Sequence, residues 1–263
     1  MRFAVSNIGL PAYDHTSLLG AVRNLGLEGV EVAPSRVWRD TWHGLSGSDV
    51  RAYRKAIEDA GLNVIGLHSL FYDQPSLALF EGLEKRARAI DFLVHLSAVC
   101  RDLGGRTLVL GGGRKRGDTP LETAFHETID FLGDYCNRVE SHGTVLCMEP
   151  LGINDSDFVN SIHDSVRIVD AVGHPALGYN WTQKRWSKMA RRRSSHSTSY
   201  AVGWTIFMRT SRVSMFSDPV TTCRTSYLAT TFVRSVIRDM FPLSSACYLR
   251  RRHLLTREPA HRS

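Results

Sequence analysis

TLVLGGGRKRGDTPLETAFHETIDFLGDYCNRVESHGTVLCMEPL, residues 107–151, is the stretch that decides the fold. Its opening TLVLGGG (107–113) is apolar, then breaks off in three glycines, as a buried strand ending in a turn does. Thr119 is placed to cap a helix, Pro120 to occupy its first position and Glu122 to complete a capping box. Leu121, Phe125, Ile129, Leu132 and Cys136 then recur at helical spacing and predict one buried stripe. TVLCMEPL (144–151) returns to a second apolar strand. A strand, a helix of this length and another strand make a parallel pair with a right-handed crossover.

The same unit repeats outward in both directions. Toward the N-terminus, RFAVSNIG (2–9), GVEVAP (29–34) and NVIGLHSL (63–70) read as strands. Helices are expected over 15–26, 46–60 and about 81–103. Ser46 and Asp49 form a capping-box pair, Val50, Tyr53 and Ile57 share a face, and Gly61 closes that helix. Toward the C-terminus, 161–172 reads as a fifth helix and ALGYN (176–180) begins a sixth strand. Five successive strand–helix units predict an α/β protein with a parallel sheet. A doubly wound sheet and a (β/α)8 TIM barrel both fit this alternation, but no GxGxxG follows the first strand, which disfavours a dinucleotide-binding domain. The 263 residues suit one barrel, a fold of about 250 residues.

Composition narrows the class further. No uninterrupted apolar run approaches the ~20 residues of a membrane span. The opening MRFAVSNIGLP lacks the apolar core and cleavage site of a signal peptide, so a cytoplasmic location is expected. The five cysteines, Cys100, Cys136, Cys147, Cys223 and Cys247, are odd in number and show no CxxC spacing, which predicts reduced thiols. Residues 181–263 hold 16 of the 33 Lys and Arg residues but only 3 of the 26 Asp and Glu residues. The chain is therefore a mildly acidic domain, 1–180, followed by a strongly basic tail.

In a TIM barrel, chemistry sits at the C-terminal ends of the strands. Those ends carry Glu31, His68, the glycines 111–113 and Glu149. Glu31 has two readings, a salt-bridge partner inside the barrel or a substrate-binding group. His68 is either a satisfied core histidine or a site residue beside Ser69. The glycines make either a tight turn or a close approach to substrate. Glu149 is sharper: it ends the apolar run VLCM and precedes Pro150, which places its carboxylate where a buried strand opens. A carboxylate there needs a cation or donor, because uncompensated burial costs several kcal/mol. A divalent metal held by carboxylates and a histidine meets that need.

GLEGVEVAPSRVW (26–38), GLHSLF (66–71) and Glu-Pro-Leu-Gly at 149–152 with DSDFVNS behind it resemble the xylose-isomerase-like TIM barrel superfamily. Within it, the chain is similar to the bacterial sugar phosphate isomerases and epimerases, over residues 1–180. The resemblance implies a divalent metal (Mn, Mg, Co or Zn) held by a Glu after strand 5, an Asp after strand 6, a His after strand 7 and a Glu after strand 8. The two glutamates then serve as acid and base. Glu149 matches the first of these ligands. The apurinic endonucleases of the same fold use three zinc ions and a further histidine after strand 4, where this chain has Gly111–Gly113.

After Asn180 the periodicity ends, although Trp181, Trp186, Trp204, Phe207, Phe216, Phe232 and Phe241 are scattered through 23 Ser and Thr residues. A loss of one base after the Asn180 codon accounts for this. Read back in the original frame, WTQKRWSKM (181–189) gives DTKALVEN. Residues 204–219 give DHFHANEPGFDVLGP, and 238–249 give GYVSIEQRMLP. All three use one phase and supply, in order, the Asp, His and Glu that the resemblance calls for. The leading expectation is thus a metal-dependent isomerase or epimerase of a small sugar or sugar phosphate. Glu149 is its catalytic and metal-binding residue, Glu31 and His68 its substrate-binding residues, and its activity is impaired in this frame. Two alternatives are a non-catalytic product with an incomplete barrel and a basic nucleic-acid-binding protein. The first needs only a sugar as partner, with neither specific nucleic acid nor membrane. Oligomeric state is not legible.

Overall fold

The computed structural model describes residues 3–180. Six strands alternate with five α-helices among them: β1 (Ala4–Ser6), α1 (Leu19–Asn24), β2 (Gly29–Val32), α2 (Gly47–Asp59), β3 (Asn63–Leu67), α3 (Leu83–Asp102), β4 (Thr107–Leu110), α4 (Leu121–Val139), β5 (Val145–Met148), α5 (Ile162–Val172) and β6 (Leu177–Tyr179). Every pair is parallel and the order in the sheet is β1-β2-β3-β4-β5-β6. A doubly wound sheet reverses its strand order partway. This one never does, so the units are those of a TIM barrel. Among the described residues no helix is long and apolar enough to cross a membrane.

Strand alternation divides the side chains into two layers. Val30, Val32, Leu67, Leu108, Leu110, Leu146 and Met148 share one buried core with Ile57, Leu93, Leu96, Phe131 and Leu132 of the helices. The opposite face carries Ser6, Glu31, Gly66, Val109 and Cys147, linked strand to strand by the register Ser6↔Glu31, Glu31↔Gly66 and Val109↔Cys147. A bulge shapes this face. Val30 pairs with Val64 but Glu31 pairs with Gly66, so Ile65 is an extra residue in β3. Without it, Leu67 rather than His68 would follow onto the face that bears Glu31.

Gly66 is required at its position for space. A Cβ there would lie 2.1 Å from the Thr107 carbonyl oxygen, a backbone atom that cannot swing aside. Gly66→Ala is expected to destabilise the fold by about 2 kcal/mol. Urea unfolding checks this, and an unchanged midpoint would show that β3 and β4 separate freely.

Local signals held where capping was reciprocal. Ser46 and Asp49 form the expected box at α2, and Ser161 forms one with Asp164 at α5. The expected start of α4 is corrected. Pro120, not Thr119, is the N-cap, with an extended ψ of 144° and no side-chain cap. Thr119 is spent on a preceding turn, where its N–H donates to Arg116 and its carbonyl accepts from the Arg116 guanidinium. Glu122 instead pairs with Arg167 at 2.6 Å. Leu121, expected in the buried stripe, is 50% exposed because it precedes the part of the helix that covers the sheet. The strand expected over 2–9 ends at Ser6. There the Ser6 hydroxyl accepts from Ile8, and the Asn7 carboxamide leaves to bind both main-chain groups of Ala33.

Candidate active site

Glu31 projects from the end of β2 into the inner face. Its side chain is almost wholly buried, and Oε1 has no hydrogen-bond partner among the described residues. Burial first, and the negative charge of Glu149 second, push its carboxyl well above the usual carboxylate range. Among the described residues no salt bridge reaches it, so the ion-pair reading of Glu31 finds no cation. Burial likewise raises the Cys147 thiol to about 12, with the charge of Glu31 adding to the shift.

Glu149 follows β5 directly. Its N–H donates to the Leu110 carbonyl at 3.1 Å, extending the β4–β5 pairing by one residue past the strand. The half-buried side chain occupies the space beside Gly111, where a Cβ would sit 2.9 Å from Glu149 Oε2. Gly113 has φ +76°, and a Cβ on it would meet the Phe71 ring at 2.3 Å. Two of the three glycines thus have packing reasons, while Gly112 faces open space.

The turn made by these glycines delivers a residue that sequence reasoning missed. Arg114 is 1% exposed, the largest of the fully buried side chains. Its Nη2 donates to the main-chain carbonyl of Glu149. Burial lowers its pKa to about 10, against the opposing pull of Glu149. In the sequence it reads as the first residue of a solvated basic run, RKR. The available signal was its place immediately after three glycines at a strand end.

His68 stands two residues beyond Gly66 and meets hydroxyls at both ring nitrogens. Nε2 lies 2.7 Å from Ser6 Oγ, and Nδ1 lies 3.1 Å from Ser69 Oγ. Ser69 adopts φ +55°, a conformation unfavourable for a non-glycine residue, which turns the chain sharply after the histidine. Ser6 was likewise not singled out beforehand. It bridges β1 to His68 while its oxygen also accepts the Ile8 N–H at 3.2 Å.

The arrangement therefore holds a buried carboxyl (Glu31), a second carboxylate at the mouth (Glu149), a buried cation behind the second, and a hydroxyl-bound imidazole. That set can move a proton and bind polar substituents. It does not complete a cation site: no group of three or more His, Cys, Asp or Glu side chains able to hold a metal ion occurs among the described residues. The other ligands expected from the restored frame fall in 181–263, outside the described residues.

Comparison with known proteins gives a consistent picture. Residues 19–182 match the xylose isomerase-like TIM barrel family. A D-psicose 3-epimerase from Clostridium cellulolyticum H10, solved with D-tagatose, aligns with a TM-score of 0.54 at 14% identity. That alignment covers 67% of this chain and 62% of the epimerase. A 3-keto-D-glucoside 4-epimerase from E. coli aligns with a TM-score of 0.55 at 15% identity, over 67% and 66% of the two chains. An L-ribulose 3-epimerase gives 0.52 at 18% identity, over 67% and 59%. At such identities the likeness is one of fold, and this chain spans 62% of the length of the D-psicose 3-epimerase. No curated protein sequence matches.

Proposed function

Because this chain belongs to the xylose isomerase-like TIM barrel family, we propose that it carries the front part of a sugar isomerase or epimerase, acting on a small sugar or sugar phosphate. The observation that carries this reading is the pair of carboxyl groups at adjacent depths of one barrel face, Glu31 buried and Glu149 at the mouth beside Arg114. Isomerisation and epimerisation both begin by removing a proton from the carbon beside a carbonyl and end by returning one. Glu149, half-buried and held in place by the main chain of β4, is the base for that carbon. Glu31 and His68 bind substrate hydroxyls deeper in the barrel.

A divalent metal is the cofactor this reading calls for. Glu149 would be its ligand from β5, and bound metal would polarise the carbonyl and raise the acidity of the neighbouring carbon. One carboxylate does not hold such an ion. We infer that the remaining ligands belong to the frame lost after Asn180, so the chain as it stands is impaired.

The test is proton exchange rather than product yield. A protein made with one base restored after the Asn180 codon is incubated with a panel of ketoses in deuterated water. Deuterium is expected at the carbon beside the carbonyl, detected by NMR. No exchange in any ketose, from a folded and manganese-loaded restored protein, rejects the isomerase reading.

A further inference from the structure

The β4–α4 loop contains a buried cation that the reaction outlined above does not use. Arg114 is enclosed, yet only Nη2 has a hydrogen-bond acceptor, and that acceptor is the Glu149 carbonyl. Nε and Nη1 have no partner among the described residues. A guanidinium shielded from water with two unsatisfied nitrogens costs several kcal/mol unless a negative charge offsets it. Among the groups whose charge acts on it, Glu149 supplies that offset.

The surrounding chain is shaped to bring the two together. Gly111 leaves open the volume that Glu149 Oε2 occupies, and Gly113 takes φ +76° immediately before Arg114, whose Nη2 reaches the Glu149 carbonyl. Beyond Arg114 the loop is tied to the Glu149 loop a second time. The Asp157 carboxylate accepts the main-chain N–H groups of Arg116 and Gly117, at 2.9 and 3.0 Å. These bonds hold Asp157 below the ordinary carboxylate range despite some burial. A loop that only crossed the barrel rim needs neither an enclosed arginine nor two glycines with no room for a side chain.

We propose that Arg114 is a positioning residue for Glu149, gripping its main-chain carbonyl and drawing its carboxylate into the space beside Gly111. The importance of this grip for turnover rests on the acid–base role proposed above for Glu149. The grip itself is independent of that role. Arg114 acts through the Glu149 main chain, the one acceptor it has among the described residues. It fixes the direction of a carboxylate that a flexible strand end would otherwise let swing into solvent.

The experiment uses the full chain labelled with 15N-arginine, with no substrate or metal, so its outcome is separable from that of any sugar assay. Guanidinium signals of Arg114 are expected to exchange with water at least about tenfold more slowly than those of exposed arginines such as Arg51. Arg114→Lys identifies them by their loss. Glu149→Gln keeps the main-chain carbonyl and removes only the charge. It is expected to shift the Arg114 signals and speed their exchange by about tenfold. Amide exchange over 145–151 should rise in Arg114→Met and return toward the parent in Arg114→Lys. Arg114 signals that ignore Glu149→Gln, or Met and Lys variants with the same 145–151 exchange, overturn the proposal. If the Arg114 variants do not fold, the Glu149→Gln comparison decides it alone.

Discussion

Glu149→Gln in the frame-restored protein is expected to lower ketose epimerisation about a thousandfold, within the range for loss of a positioned acid–base group. The chain as it stands is expected to lie at the same floor. The two failures have different causes. In the variant, the amide can neither accept a proton nor serve as the anionic metal ligand from β5, while folding is preserved because a half-buried carboxylate has been replaced by a neutral group of its own shape. In the given chain the carboxylate is present, but on the reading proposed above its co-ligands lie in another frame, and divalent cations require several donors in fixed geometry. Manganese titration by calorimetry is expected to show far weaker binding to the given chain than to the restored one. Equal manganese affinity and equal turnover in the given and restored chains would defeat both the frame reading and the reliance on ligands beyond Asn180.

A second large effect concerns stability rather than turnover, and centres on Glu31. Its folded-state carboxyl holds a proton at pH values where the unfolded chain has released one, because burial and Glu149 both disfavour the anion. Stability from this site is therefore complete below the ordinary carboxyl range and is lost as pH rises through that range toward the higher folded value. Glu31→Gln has no proton to lose. At about pH 4 the variant and parent should unfold at similar urea concentrations. At about pH 8 the variant should be more stable by on the order of 3 kcal/mol, the scale for relieving an unpaired buried charge. A variant less stable than its parent at the higher pH would mean that Glu31 has a cationic partner.

The legibility of this protein followed the range of the interactions concerned. Ser46 with Asp49 is a contact within one helical turn, and the sequence declared it. The apolar strands declared a parallel sheet, because burial on both faces leaves a compositional mark, while the choice of barrel over doubly wound sheet came from the family resemblance. Thr119, Pro120 and Glu122 looked equally well placed. Their side chains and backbone were claimed by Arg116 and Arg167, and Arg167 is 45 residues away in the chain. Glu31 could be placed on a strand end but not assigned a charge state, since that depends first on its burial and then on the charge of Glu149. Arg114 was missed for the same reason. Its neighbours in sequence are hydrophilic, and only the return of β5 encloses it. The bulge at Ile65 left no periodic signal, although it decides that His68 and Glu31 share a face.

The strand order has a consequence for biosynthesis. Because β1 to β6 add to the sheet in the order in which they leave the ribosome, each unit from β2 to β6 docks on an edge already made. Completion of the front of the barrel is thereby uncoupled from whatever is translated after it. A change of frame such as the one proposed above would reach a nascent chain whose register, bulge and buried carboxyls are already set. Among the described residues β1 and β6 are the two edges of the sheet, each with a single neighbour, so any further strand must dock on one of them.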